Sequence, residues 1–243
     1  GNAKEVVLTG VQLGAWGRDL PTQDDLGSLI ARVLSMQTIG RVRLSSLEPW
    51  DFEKDWLRLW QDERLCRHLH IPLQSGSDSI LKAMKGPITT AAYADLVATI
   101  RSAVPGIAVT TDVIAGFPGE TEADFIETKA FIQRMGFAGG HVFTYSPRPG
   151  TAAAYLTPIV ESDVAKSRNA ELRQIFKTLA ASFRAQFIDS ATSVLWEWTR
   201  QVSPHHWTLS GLTDHYIKVF AQSSVDRHNE ITPLHLVGEH PRQ

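Results

Sequence analysis

Residues 109–121, VTTDVIAGFPGET, carry a β-branched, apolar run into a turn made of Gly116, Phe117, Pro118 and Gly119, and then into Glu120 and Thr121 at a helix start. β-branched residues favour a strand, and the glycine–proline cluster must end it. The same strand-then-helix grammar recurs along the first two thirds of the chain. Strands are expected at EVVLTGV (5–11), RVRLSS (41–46), HLHIPL (68–73), IAVTTDVI (107–114) and GGHVFTY (139–145). Helices are expected near 24–37, 53–63, 78–84, 90–103 and 122–135; in the fourth, Tyr93, Leu96, Val97, Ile100 and Val104 make the apolar stripe of a helix lying on a sheet. Such alternation predicts right-handed crossovers and a parallel sheet, open or closed into a barrel. Ligands of such sheets gather at the C-terminal strand ends. Here those ends are Gln12, Ser45 to Pro49, Gln74 to Ser77, Asp112 to Glu120, and Tyr145 to Thr151.

The grammar changes after residue 160. One long helix is expected over 162–187, with Leu172, Ile175, Leu179, Phe183 and Phe187 on one stripe and Lys166, Arg173, Lys177 and Arg184 on another. The basic stripe reads either as a solvated face or as a cationic ridge for phosphates. Beyond residue 190, VLWEWTRQ, HWTLSGL, YIKVFAQ and ITPLHLV are short strands separated by turns, the pattern of a small β-barrel. Its aromatics, Trp196, Trp198, Trp207, Tyr216 and Phe220, suit a core or a base-stacking platform. The expected organisation is therefore 1–160, 161–190 and 191–243.

Composition narrows the function classes. A net charge of −2 gives no global attraction to nucleic acid or membrane, and no apolar run of membrane-spanning length occurs. Cys66 is the single cysteine, so the chain forms no internal disulfide and no multi-cysteine metal cage. A cytoplasmic location fits this usage. The chain opens almost directly on a strand, which suggests that further sequence precedes it.

Two chemistries compete at the strand ends. Cys66, His68 and His70 share one strand face, and with Asp112 and His141 from later strands they suggest a metal-dependent hydrolase; a hydrogen-bonded structural histidine pair is the blander reading. The turn at 116–121 is neither a P-loop nor a G-x-G-x-x-G fingerprint, and Pro118 removes an amide from any phosphate cradle. Glycines beside Ile114 and Phe117 instead leave a flat apolar surface suited to a planar base. Ser45 and Ser46 as strand-end caps, and Pro147 to Gly150 as a rigid turn, are the plain alternatives at their positions.

Five stretches in order, EVVLTGVQLGAWGRDL, RVRLSSLEP, HLHIPLQSGSDSILKAM, TTDVIAGFPGETEADF and HVFTYSPRPGTAAA, resemble the methylthiotransferases of the radical S-adenosylmethionine superfamily. The tail with SGLTDHYIKV resembles their RNA-binding TRAM domain. RLSSLEP and YSPRPGT look most like the branch acting on N6-threonylcarbamoyladenosine in tRNA; the isopentenyladenosine and ribosomal-protein branches are the neighbouring alternatives. The resemblance implies an α/β fold: a partial, open (β/α) barrel lacking its first strand, followed by a small all-β TRAM-like barrel. It implies S-adenosylmethionine as cofactor and two four-iron four-sulfur clusters in the parent enzyme, none ligated by this chain. The expected partners are a tRNA anticodon stem-loop and sulfur and electron donors of unspecified identity, with a monomeric enzyme and no membrane.

By the same resemblance, Asp112, Ile114, Gly116, Phe117, Gly119 and Glu120 form the adenine side of the cofactor pocket. Gln74 and Ser75 lie near the ribose or amino-acid end. Ser46 and Glu48 face the reaction chamber, Arg148 guards its mouth, and Lys166, Arg173, Lys177 and Arg184 contact RNA. The family's three-cysteine cluster motif and its auxiliary cluster cysteines are absent from this sequence, so the chain alone is expected to be inactive; a tRNA-binding remnant without catalysis is the remaining alternative. Departures from the family pattern fall at Lys85 to Ile88 and at Thr144.

Overall fold

The computed structural model describes residues 3–22 and 24–238. The first half contains β1 (Glu5–Leu8), β2 (Arg41–Leu44), β3 (His68–His70), β4 (Ala108–Ala115) and β5 (Gly139–Thr144). Every ladder among them is parallel: Glu5 lies opposite Arg41, His68 opposite Ala108, and Thr110 opposite Gly139. Bridges from Val42 to Leu65 and from Ser46 to His70 join β2 to β3, so the five strands run in chain order. β1 pairs on one side only among the described residues. This is the open parallel half-barrel that the strand–helix alternation predicts.

The connecting helices are α1 (Leu26–Ser35), α2 (Asp78–Ala83), α3 (Thr90–Ala103) and α4 (Glu122–Met135), and α5 (Ser162–Ala185) follows the sheet. Their starts are written in the sequence. Asp25 and Ser28 form a reciprocal capping box on α1, Thr121 and Asp124 form another on α4, and Gly136 ends α4 in the left-handed conformation. The helix expected near 53–63 is a 3-10 helix over Lys54–Gln61. Its tighter winding eclipses residues three apart, which aligns Trp56 with Leu59 and Leu57 with Trp60.

The alternation on β4 divides the sheet into two unlike faces. Val109, Thr111, Val113 and Ala115 are buried toward the helices, whereas Thr110, Asp112 and Ile114 are only partly buried on the concave side. The helix side holds the main core, with Ile30, Val42, Leu44, Leu69, Ile71, Val97, Ile100, Phe125, Ile132 and Phe137. The concave side mixes polar groups such as Thr110 and Asp112 with apolar ones such as Phe143.

α5 ties two cores together. Ala165, Arg168, Leu172 and Phe176 are its buried residues, and Ile175 and Leu179 pack beside them on the first core. Phe183 and Phe187, further along the expected stripe, pack on the core of the tail. Gly140 on β5 admits the Phe176 ring, whose Cε1 lies 2.4 Å from where a Cβ would stand. Gly140→Val should therefore cost about 1–3 kcal/mol by overpacking, read as a lower urea midpoint. An unchanged midpoint would mean that α5 shifts without loss.

The tail contains β6 (Ala191–Ser203), β7 (His206–Thr213), β8 (Lys218–Ser223) and β9 (Ile231–His235). They form one antiparallel sheet in the order β8-β7-β6-β9 over Val194, Trp196, Leu209, Ile217 and Val219. β8 and β9 are its edges, with no ladder between them among the described residues. The tail aromatics split by role: Trp196 is core, its Nε1 donating to Thr232 Oγ1 at 2.8 Å, while Trp198, Tyr216 and Phe220 are exposed.

The tail is fastened to the half-barrel by arginines of β2. Arg43 donates to the carbonyls of Asp214 and Thr213 at 3.1 and 3.0 Å, and Arg41 to that of Leu212 at 3.0 Å. Both also pair with Glu5 on β1. Asp214 in turn accepts from Arg67 at 2.7 Å and lies 2.9 Å from His215 Nδ1. Burial alone would raise the Asp214 carboxyl, but hydrogen bonds from His215 and Arg67 outweigh it and hold the group well below the usual carboxylate range.

Candidate functional site

The C-terminal strand ends meet in a cleft of about 560 Å³ lined by Gln74, Asp112, Ile114, Phe117, Tyr145, Arg148 and neighbouring residues. Five of the sequence-expected positions thus converge. Ile114 and Phe117 supply apolar walls, and Phe117 meets the Tyr145 ring edge-on at 5.2 Å. Two polar atoms of the cleft are buried without a hydrogen-bond partner among the described residues, Asp112 Oδ1 and Tyr145 Oη. Such groups cost free energy until something meets them, and a ligand with both apolar and polar faces would match this lining.

Gln74 carries a further sign of function. It holds a left-handed backbone, φ 68°, although it is not glycine. Its amide donates to Asp112 O at 2.8 Å and its carbonyl accepts from Ile114 at 2.8 Å, so it locks the end of β3 onto β4. Strain of this kind persists only where the surroundings enforce it, and it clusters at ligand sites.

The remaining residues of the expected pocket face elsewhere. Ser75 is fully buried, its hydroxyl engaged with Thr128 Oγ1 at 3.3 Å and with the amide of Ser77. Gly116 and Gly119 both have positive φ, and Gly116 presses against Ala165 of α5, where a Cβ would stand 2.4 Å from the alanine side chain. Gly119 donates to Pro158 O at 2.8 Å. Glu120 turns back to accept from the Gly116 amide at 2.8 Å and from Arg168 Nη1 at 2.9 Å. Much of the turn chemistry at 116–121 thus seats α5, and only the Ile114–Phe117 side of it faces the cleft. Arg168, which sequence reasoning missed, is the buried cation that makes this possible; among the several basic residues of α5 nothing local set it apart.

A second, larger cavity of about 790 Å³ lies on the concave face, lined among others by Arg43, Ser46, His68, His70, Thr110, Asp112, His141, Phe143 and Tyr216. Asp112 and Phe143 line both spaces, so the cavity and the cleft adjoin there. Ser46 lines this cavity. Glu48 lies half-buried beside it, its carboxyl pushed up by burial and then by Asp51, with His70 pulling the other way. Of the basic stripe on α5, Lys166, Arg173 and Lys177 are exposed, whereas Arg184 lines the concave cavity. Lys166 lies 3.4 Å from Asp163.

The histidine pair is hydrogen-bonded. His68 Nε2 and His70 Nδ1 both contact Thr110 Oγ1, at 3.1 and 3.0 Å, and His70 Nε2 lies 3.3 Å from Asp112 Oδ2. No group of three or more His, Cys, Asp or Glu side chains among the described residues is placed to hold a metal ion. Burial pushes the His68 imidazole down to about 3, aided by Arg43, and pushes the Cys66 thiol up to about 12. Cys66 is therefore a buried thiol beside Glu5. It does not fit an iron–sulfur cluster, which takes three or four thiolates.

The profile of the Radical SAM superfamily matches residues 2–132. The chain belongs to the radical SAM superfamily. A threonylcarbamoyladenosine tRNA methylthiotransferase of Bacillus subtilis is 34% identical over 96% of this chain and 52% of its own length. A tRNA-2-methylthio-N6-dimethylallyladenosine synthase of Akkermansia muciniphila is 33% identical over 96% of this chain and 51% of its own. The chain thus spans about half the length of these relatives. Among solved structures, the radical SAM enzyme coproporphyrinogen III oxidase from Escherichia coli superposes with a TM-score of 0.53 over 76% of this chain and 51% of that one, at 13% identity, which shows the shared fold. No helix among the described residues is long and apolar enough to cross a membrane.

Proposed function

We propose that this chain forms the S-adenosylmethionine- and RNA-contacting part of a tRNA methylthiotransferase acting on N6-threonylcarbamoyladenosine beside the anticodon. The observation that carries the reading is the convergence of Gln74, Asp112, Ile114, Phe117 and Arg148 on one cleft at the strand ends of a radical SAM fold. Ile114 and Phe117 sandwich the adenine in an apolar slot, and Gln74 and Asp112 offer polar groups to the ribose end. Bound S-adenosylmethionine supplies the radical chemistry that opens the base carbon to sulfur. Ser46 and Glu48 line the chamber where the base enters, and exposed Arg148 at its rim meets the RNA backbone. The cluster ligands have no counterpart among these residues.

RLSSLEP, YSPRPGT and the B. subtilis relative support the threonylcarbamoyl branch. The A. muciniphila synthase matches nearly as well and keeps the dimethylallyl branch as the second reading. Mass spectrometry of tRNA nucleosides decides. A strain lacking the gene should lose 2-methylthio-N6-threonylcarbamoyladenosine; an unchanged level with loss of a different methylthio nucleoside would overturn the choice.

Lys166, Arg173 and Lys177 form the proposed RNA ridge. Changing all three to glutamine should weaken binding of an anticodon stem-loop about tenfold or more. It should also flatten the salt dependence by roughly 2 to 3 in log–log slope, at about 0.9 per lost phosphate contact. Gel retardation across a salt series reads both, and binding that is insensitive to salt would retire the ridge.

A further inference from the structure

Asp112 stands where the cleft and the concave cavity adjoin, with Oδ2 near His70 and Oδ1 buried without a partner among the described residues. The groups behind it form a line: Asp112 Oδ2, His70, Thr110 Oγ1, His68, at 3.3, 3.0 and 3.1 Å. The line ends at His68 Nδ1, also buried and without a partner among the described residues.

Donor and acceptor chemistry gives this line one polarity. A carboxylate only accepts, so His70 Nε2 carries the proton and donates to Asp112. In the neutral ring Nδ1 is then an acceptor, and the Thr110 hydroxyl, whose single hydrogen can serve one neighbour, donates to it. The Thr110 oxygen is left to accept from His68 Nε2–H. His68 stays neutral, consistent with its burial, and its bare Nδ1 is left as an unpaired acceptor. The opposite polarity would require His70 to donate from both ring nitrogens, to Asp112 and to Thr110, and would still leave His68 Nδ1 unpaired, now as an N–H. The far end of the line is clamped as well. The Tyr216 ring stacks on His68 at a centroid separation of 4.7 Å, and the Arg43 guanidinium lies 5.1 Å from the centre of that ring.

We propose that His68, Thr110 and His70 are positioning residues that hold Asp112 as an acceptor-only carboxylate, with its free oxygen presented to an N–H or O–H donor of the bound nucleoside cofactor. The three do not touch the ligand; they fix the rotamer and hydrogen-bond sense of the group that does. Around them the charged or titratable neighbours are Glu48 after β2, Arg43 on β2, His141 on β5 and Tyr216 of the tail. The hydrogen-bond line needs nothing beyond the chain itself, whereas its ligand end rests on the reading of the cleft given above.

Two measurements separate these parts. Long-range proton–nitrogen correlation NMR on the histidine-labelled chain at neutral pH should find His68 and His70 both protonated at Nε2. Thr110→Val, close in shape but without the hydroxyl, should abolish that fixed tautomer for His70, and Thr110→Ser should retain it. A proton on Nδ1 of either ring in the wild-type chain, or a His70 signature indifferent to Thr110→Val, would overturn the line. Calorimetry with S-adenosylhomocysteine then reads the ligand end. Thr110→Val should raise Kd about tenfold while Thr110→Ser stays near the wild-type value. Equal binding by all three proteins would sink the positioning role. A correct tautomer pattern with no binding by the wild-type chain would instead count against the cleft as the cofactor site.

Discussion

Replacing Arg168 with alanine should cost the fold about 3–5 kcal/mol at neutral pH, the usual effect of leaving a buried charge without its partner. Arg168 Nη1 bonds the Glu120 carboxylate at 2.9 Å and the Glu120 carbonyl at 3.0 Å, and its Nη2 reaches Glu122 at 3.1 Å. Burial pushes the Glu120 carboxyl above its ordinary range, against the Gly116 amide and Arg168, which both pull it down. A raised carboxyl favours the fold below its ordinary pKa, and that contribution is lost as pH rises through the raised folded value. Without Arg168 the shift grows, so the penalty should be largest at neutral pH and shrink in acidic solution as Glu120 takes up a proton. Urea midpoints at neutral and acidic pH test this. A pH-independent loss would place the cost in packing. The paired change Glu120→Leu with Arg168→Leu should recover much of the stability, because an apolar pair avoids the desolvation that the ion pair must overcome.

The second large effect is all-or-none. Anaerobic reconstitution with iron and sulfide should leave this chain colourless, without cluster absorbance and without methylthiotransferase activity. Cys66 is the one cysteine, and it is a buried thiol. S-adenosylmethionine should accordingly bind weakly, through adenine and ribose contacts alone, since no iron is present to chelate its amino and carboxylate groups. A brown, iron-loaded preparation would show that other side chains assemble a ligand set.

Element type was largely legible in the sequence, because period and punctuation agree. The stripe of α3, the capping boxes at Asp25 and Thr121, and Gly136 after α4 each mark their element locally. Side-chain destination was less legible. Gly116, Gly119 and Glu120 look in sequence like ligand-binding turn residues, yet their partners are Ala165, Pro158 and Arg168. Those partners lie on or just before α5, beyond the reach of any local pattern. His68 and His70 were visible as a same-face pair, but the threonine bridging them comes from the neighbouring strand in register opposite His70. Phe143 on β5 and Tyr145 just after it reach the cleft at a strand end that the strand–helix pattern marks, although nothing local singles out these two side chains.

The joint between the two sheets has a consequence for how such chains diverge. Arg41 and Arg43 reach the tail through the carbonyl oxygens of Leu212, Thr213 and Asp214. Carbonyls are the same in every residue, so much of this fastening reads the path of the main chain and not the side chains it carries. Tails with different outer surfaces are thus interchangeable on one half-barrel, provided the turn keeps its trajectory. The surface of the tail is thereby free to evolve while the half-barrel stays put. In a library of grafted tails, loop length at 213–217 and the Asp214 and Tyr216 side chains, which meet Arg67 and His68, should govern docking far more strongly than the rest of the tail's composition.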